Sequence, residues 1–201
     1  TSIEEVHRKI IGNAYKDEVM AIRNALRSGD NETASKLKKA LAACTFSGTF
    51  NGRRRTDCLA SYSGYIILDM DKLNAEELQH AKDVAKRIPY TVLCFVSPSG
   101  NGLKIVVAVN TDQTLHKEAY AQVVSYYNEE IGLPFDEVTS DVSRLCYMSH
   151  DPEAYINYDY EVFTIEKTSK ETITTNFKQV NKNNMDNNEI LRAFEYLIGY
   201  T

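Results

Sequence analysis

Two carboxylates one residue apart, Asp69 and Asp71, close an apolar run in YIILDMDKL (65–73). Side chains alternate faces along a strand, so both acids point the same way if the run is a strand. Like charges that close raise a pKa unless a cation lies between them. A hard divalent ion such as Mg²⁺ or Mn²⁺ would serve, because it prefers carboxylate oxygens. The competing role is plainer: Asp69 ends a strand and Asp71 opens a turn. A second stretch able to do chemistry is SPSGNGLK (97–104). Ser97, Ser99, Gly100 and Gly102 sit in a tight turn whose backbone N–H groups can approach an anion, and Lys104 follows with a point charge. The spacing is neither that of a Walker loop nor that of a dinucleotide fingerprint, and a plain hairpin turn competes. The third stretch is LPFDEVTSDVSRLCYMSHDPEAY (133–155), where Asp136 and Asp141 precede Arg144 and the run Ser149-His150-Asp151. A third carboxylate beside Asp69 and Asp71 would complete a two-metal site for phosphoryl transfer. His150 reads as a surface turn residue.

These groups meet only on a scaffold that makes neighbours of the strands carrying Asp69 and Lys104. The periodicity predicts one. YIILD is a strand; 74–88 is a helix opened by an Asn74–Glu77 capping box; TVLCFV (91–96) and LKIVVAV (103–109) are strands around the glycine turn. Residues 114–132 form a helix closed by Gly132, and RLCYMS (144–149) is a short strand. The order β-α-β-β-α-β is that of the ferredoxin-like or RRM-like split unit, an α+β fold in which the first and third strands lie side by side. YDYEVFTI (158–165) reads as an added edge strand. Ahead of this core, residues 1–45 read as a helical extension. Ser2 with Glu5 marks its start, Val19, Ile22 and Leu26 recur at helical spacing, Gly29 stops that segment, and Ala34, Leu37 and Leu41 mark a third helix. FSGTFNGRRR (46–55) is turn-rich and ends in Arg53, Arg54 and Arg55. The α+β core spans 46–165, a polar Thr/Asn/Lys-rich linker spans 166–187, and 188–201 is an amphipathic helix, either opening a further domain or folding back on the core.

The chain has 201 residues, 43% hydrophobic and 25% charged, enough for one substantial domain. Its net charge of -5 excludes a globally basic nucleic-acid binder, so any such surface is local, with Arg53, Arg54 and Arg55 the candidates. The four cysteines form no C-x-x-C pair; Cys94 and Cys146 lie in apolar runs and read as buried free thiols of a reducing cytoplasm. No apolar stretch is long enough to span a membrane, and the start at Thr1 rather than a methionine reads as a piece of a longer chain.

Taken together, D-x-D at a strand end (Asp69, Asp71), S-G-x-G-x-basic opening a later strand (Ser99, Gly100, Gly102, Lys104) and hD-x-x-V-T-x-D-x-x-RL (Asp136, Val138, Thr139, Asp141, Arg144, Leu145) resemble the catalytic core of archaeo-eukaryotic primases and primase-polymerases. More narrowly, FSGTF, SGYIILDMDKL, FVSPSGNGLKIVV and DVSRLCYMSHDPEAYIN resemble the N-terminal domain found ahead of VirE-type helicase domains in Bacteroidetes mobile elements. The narrow resemblance covers roughly residues 10–165. It implies an RRM-like nucleotidyltransferase that takes a nucleoside triphosphate and a single-stranded DNA template, and a helicase domain as partner. Asp69, Asp71 and Asp136 would hold Mg²⁺ or Mn²⁺, with Asp141 in reserve; Ser97, Ser99, Gly100, Gly102, Lys104 and Arg144 would bind substrate. One departure stands out: primases usually carry histidine where this chain has Lys104. A lysine can neutralise phosphate but cannot reproduce a neutral imidazole, which favours a rival reading as a catalytically degenerate nucleic-acid-binding or helicase-recruiting module. A nucleotide-sugar transferase using D-x-D is a third reading, disfavoured by the lack of a Rossmann half.

Overall fold

The structure, a computed structural model, describes residues 2–135 and 140–166. The chain divides into two units, Thr1–Ile165 and Glu166–Thr201, of which the first is described below. Asp136, the linker and the C-terminal helix expected at 188–200 lie outside the described residues.

Three helices come first: α1 (Ile3–Ile11), α2 (Lys16–Arg27) and α3 (Asn31–Ala40). Side-chain oxygens cap two of them, Ser2 accepting from the Glu5 amide and Asp30 from the Thr33 amide. Next are β1 (Ala43–Cys44), β2 (Gly48–Phe50), β3 (Leu59–Tyr62) and β4 (Tyr65–Met70). Then follow α4 (Ala75–Arg87), β5 (Thr91–Val96), β6 (Leu103–Ala108), α5 (His116–Ile131), β7 (Cys146–Tyr147) and β8 (Tyr155–Ile156). The capping box on α4 is complete: Asn74 Oδ1 accepts from the Glu77 amide and Glu77 Oε2 from the Asn74 amide, both at 2.9 Å. Gly132 ends α5 in the left-handed region at φ 71°.

The main sheet has the order β4-β6-β5-β8, all antiparallel. Strands β4 and β6 pair without a break, and the register sets Asp69 directly opposite Lys104. One face, with Ile66, Leu68, Met70, Ile105 and Val107, packs against α4 and α5 through residues such as Ala81, Ala85, Val123 and Tyr127. The other face, with Ile67, Leu93, Phe95 and Val106, is covered by Val6 and Ile10 of α1 together with Phe46 and Met148. Asp69 and Lys104 continue this second face along β4 and β6. Among the described residues no helix is long and apolar enough to cross a membrane.

The protein is an α+β fold, and its β4-α4-β5-β6-α5 portion follows the predicted order. The fourth strand does not. Residues 144–149 do not enter the main sheet; Cys146–Tyr147 pairs with Ala43–Cys44 instead, and the Met148 amide donates to Ala42 O at 2.8 Å. The cause is the turn before it. The Arg144 amide bonds back to Asp141 O, the Arg144 side chain reaches Asp69, and the chain leaves toward the extended segment that follows α3. The sheet's fourth member is β8, at the β5 edge. The edge strand expected at 158–165 is reduced to one bridge, Val109 with Phe163. The stretch read as turn-rich contains β2, which forms a hairpin with β3. Gly48 permits that approach: a Cβ there would lie 2.5 Å from Ser61 O.

Candidate functional site

Asp69 is 6% exposed and Lys104 8%. A buried carboxylate is costly unless it is paired and hydrogen-bonded, and Asp69 is both. The Lys104 ammonium donates to Oδ1, and Arg144 Nη2 donates to Oδ2 at 2.8 Å. Asp71 also lies near Lys104, its Oδ1 3.9 Å from Nζ, with its side chain half exposed. The chain's own lysine thus lies beside both carboxylates, the place the sequence reading gave to a metal ion. Beyond β4, Lys72 adopts φ 60° and the Leu73 amide donates to Asn101 O, which ties the end of β4 to the glycine turn.

That turn uses part of its own backbone. The Ser97 amide donates to Gly102 O at 2.8 Å and the Gly100 amide to Ser97 O at 2.9 Å. Gly102 is required by close approach: a Cβ would lie 2.5 Å from Met70 O, 2.9 Å from Asp71 Oδ1 and 3.0 Å from Ser97 Oγ. Ser97 is 1% exposed, and its hydroxyl has no hydrogen-bond partner among the described residues. A buried hydroxyl left unpaired costs about 1–3 kcal/mol, which a bound polar group would relieve. Ser99 and Gly100 face elsewhere, lining a separate depression with Arg23 and Arg27.

The carboxylates open onto a cleft of ≈ 580 Å³. Four cations, Lys38, Arg54, Lys104 and Arg144, line it against Asp69, Asp71 and Asp141. Of the three loop arginines, Arg54 reaches the cleft and donates to Ser143 O. Arg55 is committed to Asp57 at 2.8 Å, and Arg53 is exposed outside the cleft lining. Asp141 accepts from the Ser143 amide at 2.6 Å and from Thr56 Oγ1. The Ser143 amide is the main cause that holds its carboxyl below the usual range.

Three groups escaped the sequence reading. Lys38 of α3 lines the cleft, and no motif in the sequence marks it. Arg23 of α2 donates to the carbonyls of Ser97, Pro98 and His150, bracing the glycine turn from behind. Lys82 of α4 forms a buried pair with Asp151, which also accepts from the Val96 amide. His150, expected at the surface, is 8% exposed, and its Nδ1–H donates to Gly12 O at 2.9 Å. Its neighbours Ser149 and Asp151 are tied to β5, which draws the whole 149–151 run inward.

Among the described residues no three His, Cys, Asp or Glu side chains group closely enough to cage a metal. Mg²⁺ bound with phosphate needs less: one or two carboxylates, the remaining positions going to phosphate oxygens and water. Asp71, half exposed beside the unpaired Ser97 hydroxyl, fits that role. Asp69 could join it were another anion to take over Lys104 and Arg144. The donor set therefore fits a metal arriving with a phosphate group.

A family model described as BT4734-like, N-terminal domain, matches residues 36–156. The chain belongs to this family. No curated protein and no solved structure matches it. The BT4734-like match runs from α3 to the end of β8, so it contains every cleft residue named above and leaves out α1 and α2.

Proposed function

We propose that this BT4734-like domain is a metal-dependent nucleotidyltransferase of primase-polymerase type, acting in replication of a mobile element. The observation that carries it is the cross-strand Asp69–Lys104 pair, with Arg144 on the second Asp69 oxygen and Asp71 alongside. Two cations held by a carboxylate are poised to exchange it for a triphosphate, which carries more charge and presents more acceptor oxygens. Lys104 and Arg144 would bind and orient the triphosphate, Ser97 would donate to it, and Asp69 would be released toward the cleft beside Asp71. Mg²⁺ or Mn²⁺, when bound, would neutralise phosphate charge and favour attack by a 3′-hydroxyl. Lys38 and Arg54 supply charge for the single-stranded DNA template. A helicase domain, in the same or a partner chain, is the expected associate.

Binding of a fluorescent nucleoside triphosphate in Mn²⁺ tests the phosphate assignment. Losing one charge-assisted bond costs about 1.5–3 kcal/mol, so Lys104→Ala should weaken binding roughly ten- to a hundredfold, alike for all four bases. Lys104→His should recover part of it. Equal affinity in Lys104→Ala would reduce the 97–102 turn to a hairpin.

A second reading, a catalytically degenerate module that binds nucleic acid or recruits a helicase, is favoured by the same ion pair. Both Asp69 oxygens are taken by cations of the chain itself. Incorporation of labelled nucleotide on a primed template separates the two: the enzyme requires it, and the module binds DNA without it.

A further inference from the structure

The β1–β7 ladder sets Cys44 directly opposite Cys146. Opposed residues of an antiparallel pair project to the same side with Cα atoms about 4.5–5.5 Å apart. A disulfide needs about 4.4–6.8 Å. Both side chains belong to the apolar cluster under α1, and both are free thiols. They also sit on a partition: Cys146 lines the carboxylate cleft, and Cys44 lines a second cleft of ≈ 510 Å³ between α1 and the β2–β3 hairpin. Each cysteine therefore borders an opening. The other two cysteines have no such neighbour: Cys94 lies across β5–β6 from Ile105, and Cys58 ends the short helical turn before β3.

We propose that Cys44 and Cys146 are a redox modification site, closing to a cross-strand disulfide under a small-molecule disulfide oxidant such as oxidised glutathione. The Cys44 thiolate attacks one sulfur of the oxidant, whose S–S bond breaks and releases one thiolate. The Cys146 thiolate then attacks Cys44 Sγ in the mixed disulfide and expels the second. The two protons lost by the cysteines end on the two released thiols. Cys44 goes first because it is the more exposed of the pair. Burial pushes both thiols up, Cys44 to about 11 and Cys146 to about 12. The thiolate is the nucleophile, so closure is slow at neutral pH and speeds up as pH rises. Arg144 lies two residues before Cys146, so the bond would pin the strand that delivers the second cation to Asp69.

The test is oxidation of the whole chain with oxidised glutathione at pH 7 and pH 9, followed by alkylation and peptide mass mapping without reductant. The expected product is a monomer lighter by two hydrogens, with one linked peptide pair holding Cys44 and Cys146, Cys58 and Cys94 alkylated, and faster formation at pH 9. Cys146→Ser should stop at a glutathione adduct on Cys44. Four alkylated cysteines, a bridge involving Cys58, or a disulfide-linked dimer would each overturn the proposal. None of these readouts depends on nucleotide binding, so the site stands or falls apart from the proposed function.

Discussion

Asp69 and Asp71 are one residue apart and energetically unlike. Asp69 is enclosed and neutralised by two cations, whereas Asp71 is half exposed and 3.9 Å from Lys104. Breaking a buried pair by removing one partner typically costs about 3–5 kcal/mol. Exposed pairs contribute about 0–1 kcal/mol. Asp69→Asn should therefore lower the melting temperature by roughly 6–20 °C, at about 2–4 °C per kcal/mol for a chain of this size. Asp71→Asn should lower it by less than about 4 °C. Thermal unfolding of the two variants side by side is the check, and equal shifts would mean that Lys104 does not hold Asp69 in solution. The D-x-D spacing was readable from the sequence, but the inequality was not. It depends on Arg144, which is 75 residues away from Asp69.

Elements carry the next constraint. The end of β4 and the 97–102 turn are in contact at Gly102. Gly102→Ala would force a Cβ against Met70 O and Asp71 Oδ1, and overpacking of this kind costs about 1–3 kcal/mol. Gly100→Ala instead meets the flexible side chain of Arg23 at 3.2 Å, with a φ of +81° to strain it. Both variants should melt lower, but only Gly102→Ala should also weaken metal-dependent nucleotide binding, by displacing Asp71. Retained binding in Gly102→Ala would separate the turn from the carboxylates. At the start of α5, His116 meets the Tyr62 hydroxyl at 2.9 Å, tying α5 to β3. Burial holds the His116 imidazole below its usual value of 6.5. The unfolded chain then binds the proton more readily than the folded one. The associated stability is present above pH 6.5 and is lost as pH falls through 6.5 toward the folded pKa. Melting temperature should drop between pH 7.5 and 5.5, and His116→Gln should flatten that drop; an unaltered slope would place the titration elsewhere.

At the scale of the molecule, the family match begins at residue 36, yet Val6 and Ile10 of α1 cover Ile67, Phe95 and Val106. Burying such a side chain stabilises by about 1.5–3 kcal/mol. A chain starting at residue 36 should therefore lose several kcal/mol and bind a hydrophobic dye in the native state. A deletion as stable as the full chain would show that α1 is dispensable. The central sheet was legible because β4, β5 and β6 are six-residue apolar runs and α4 carries its own cap. The ladders of β7 and β8 were not, since two residues have no periodicity and their partners, β1 and β5, are distant in sequence. Arg23 and Lys82 were hidden for another reason: their partners are backbone carbonyls and a carboxylate 69 or more residues away, which leave no local pattern. The same long reach governs how the protein is made. His150 locks onto Gly12 and the Asp151 amide onto Ile10 O, so the C-terminal end of α1 is secured by residues translated about 138 positions later. At about 5–20 residues per second, α1 waits roughly 7–28 s for that latch. Through that interval it is a short amphipathic peptide, and the nascent chain needs a chaperone, or its own emerging sheet, to occupy it.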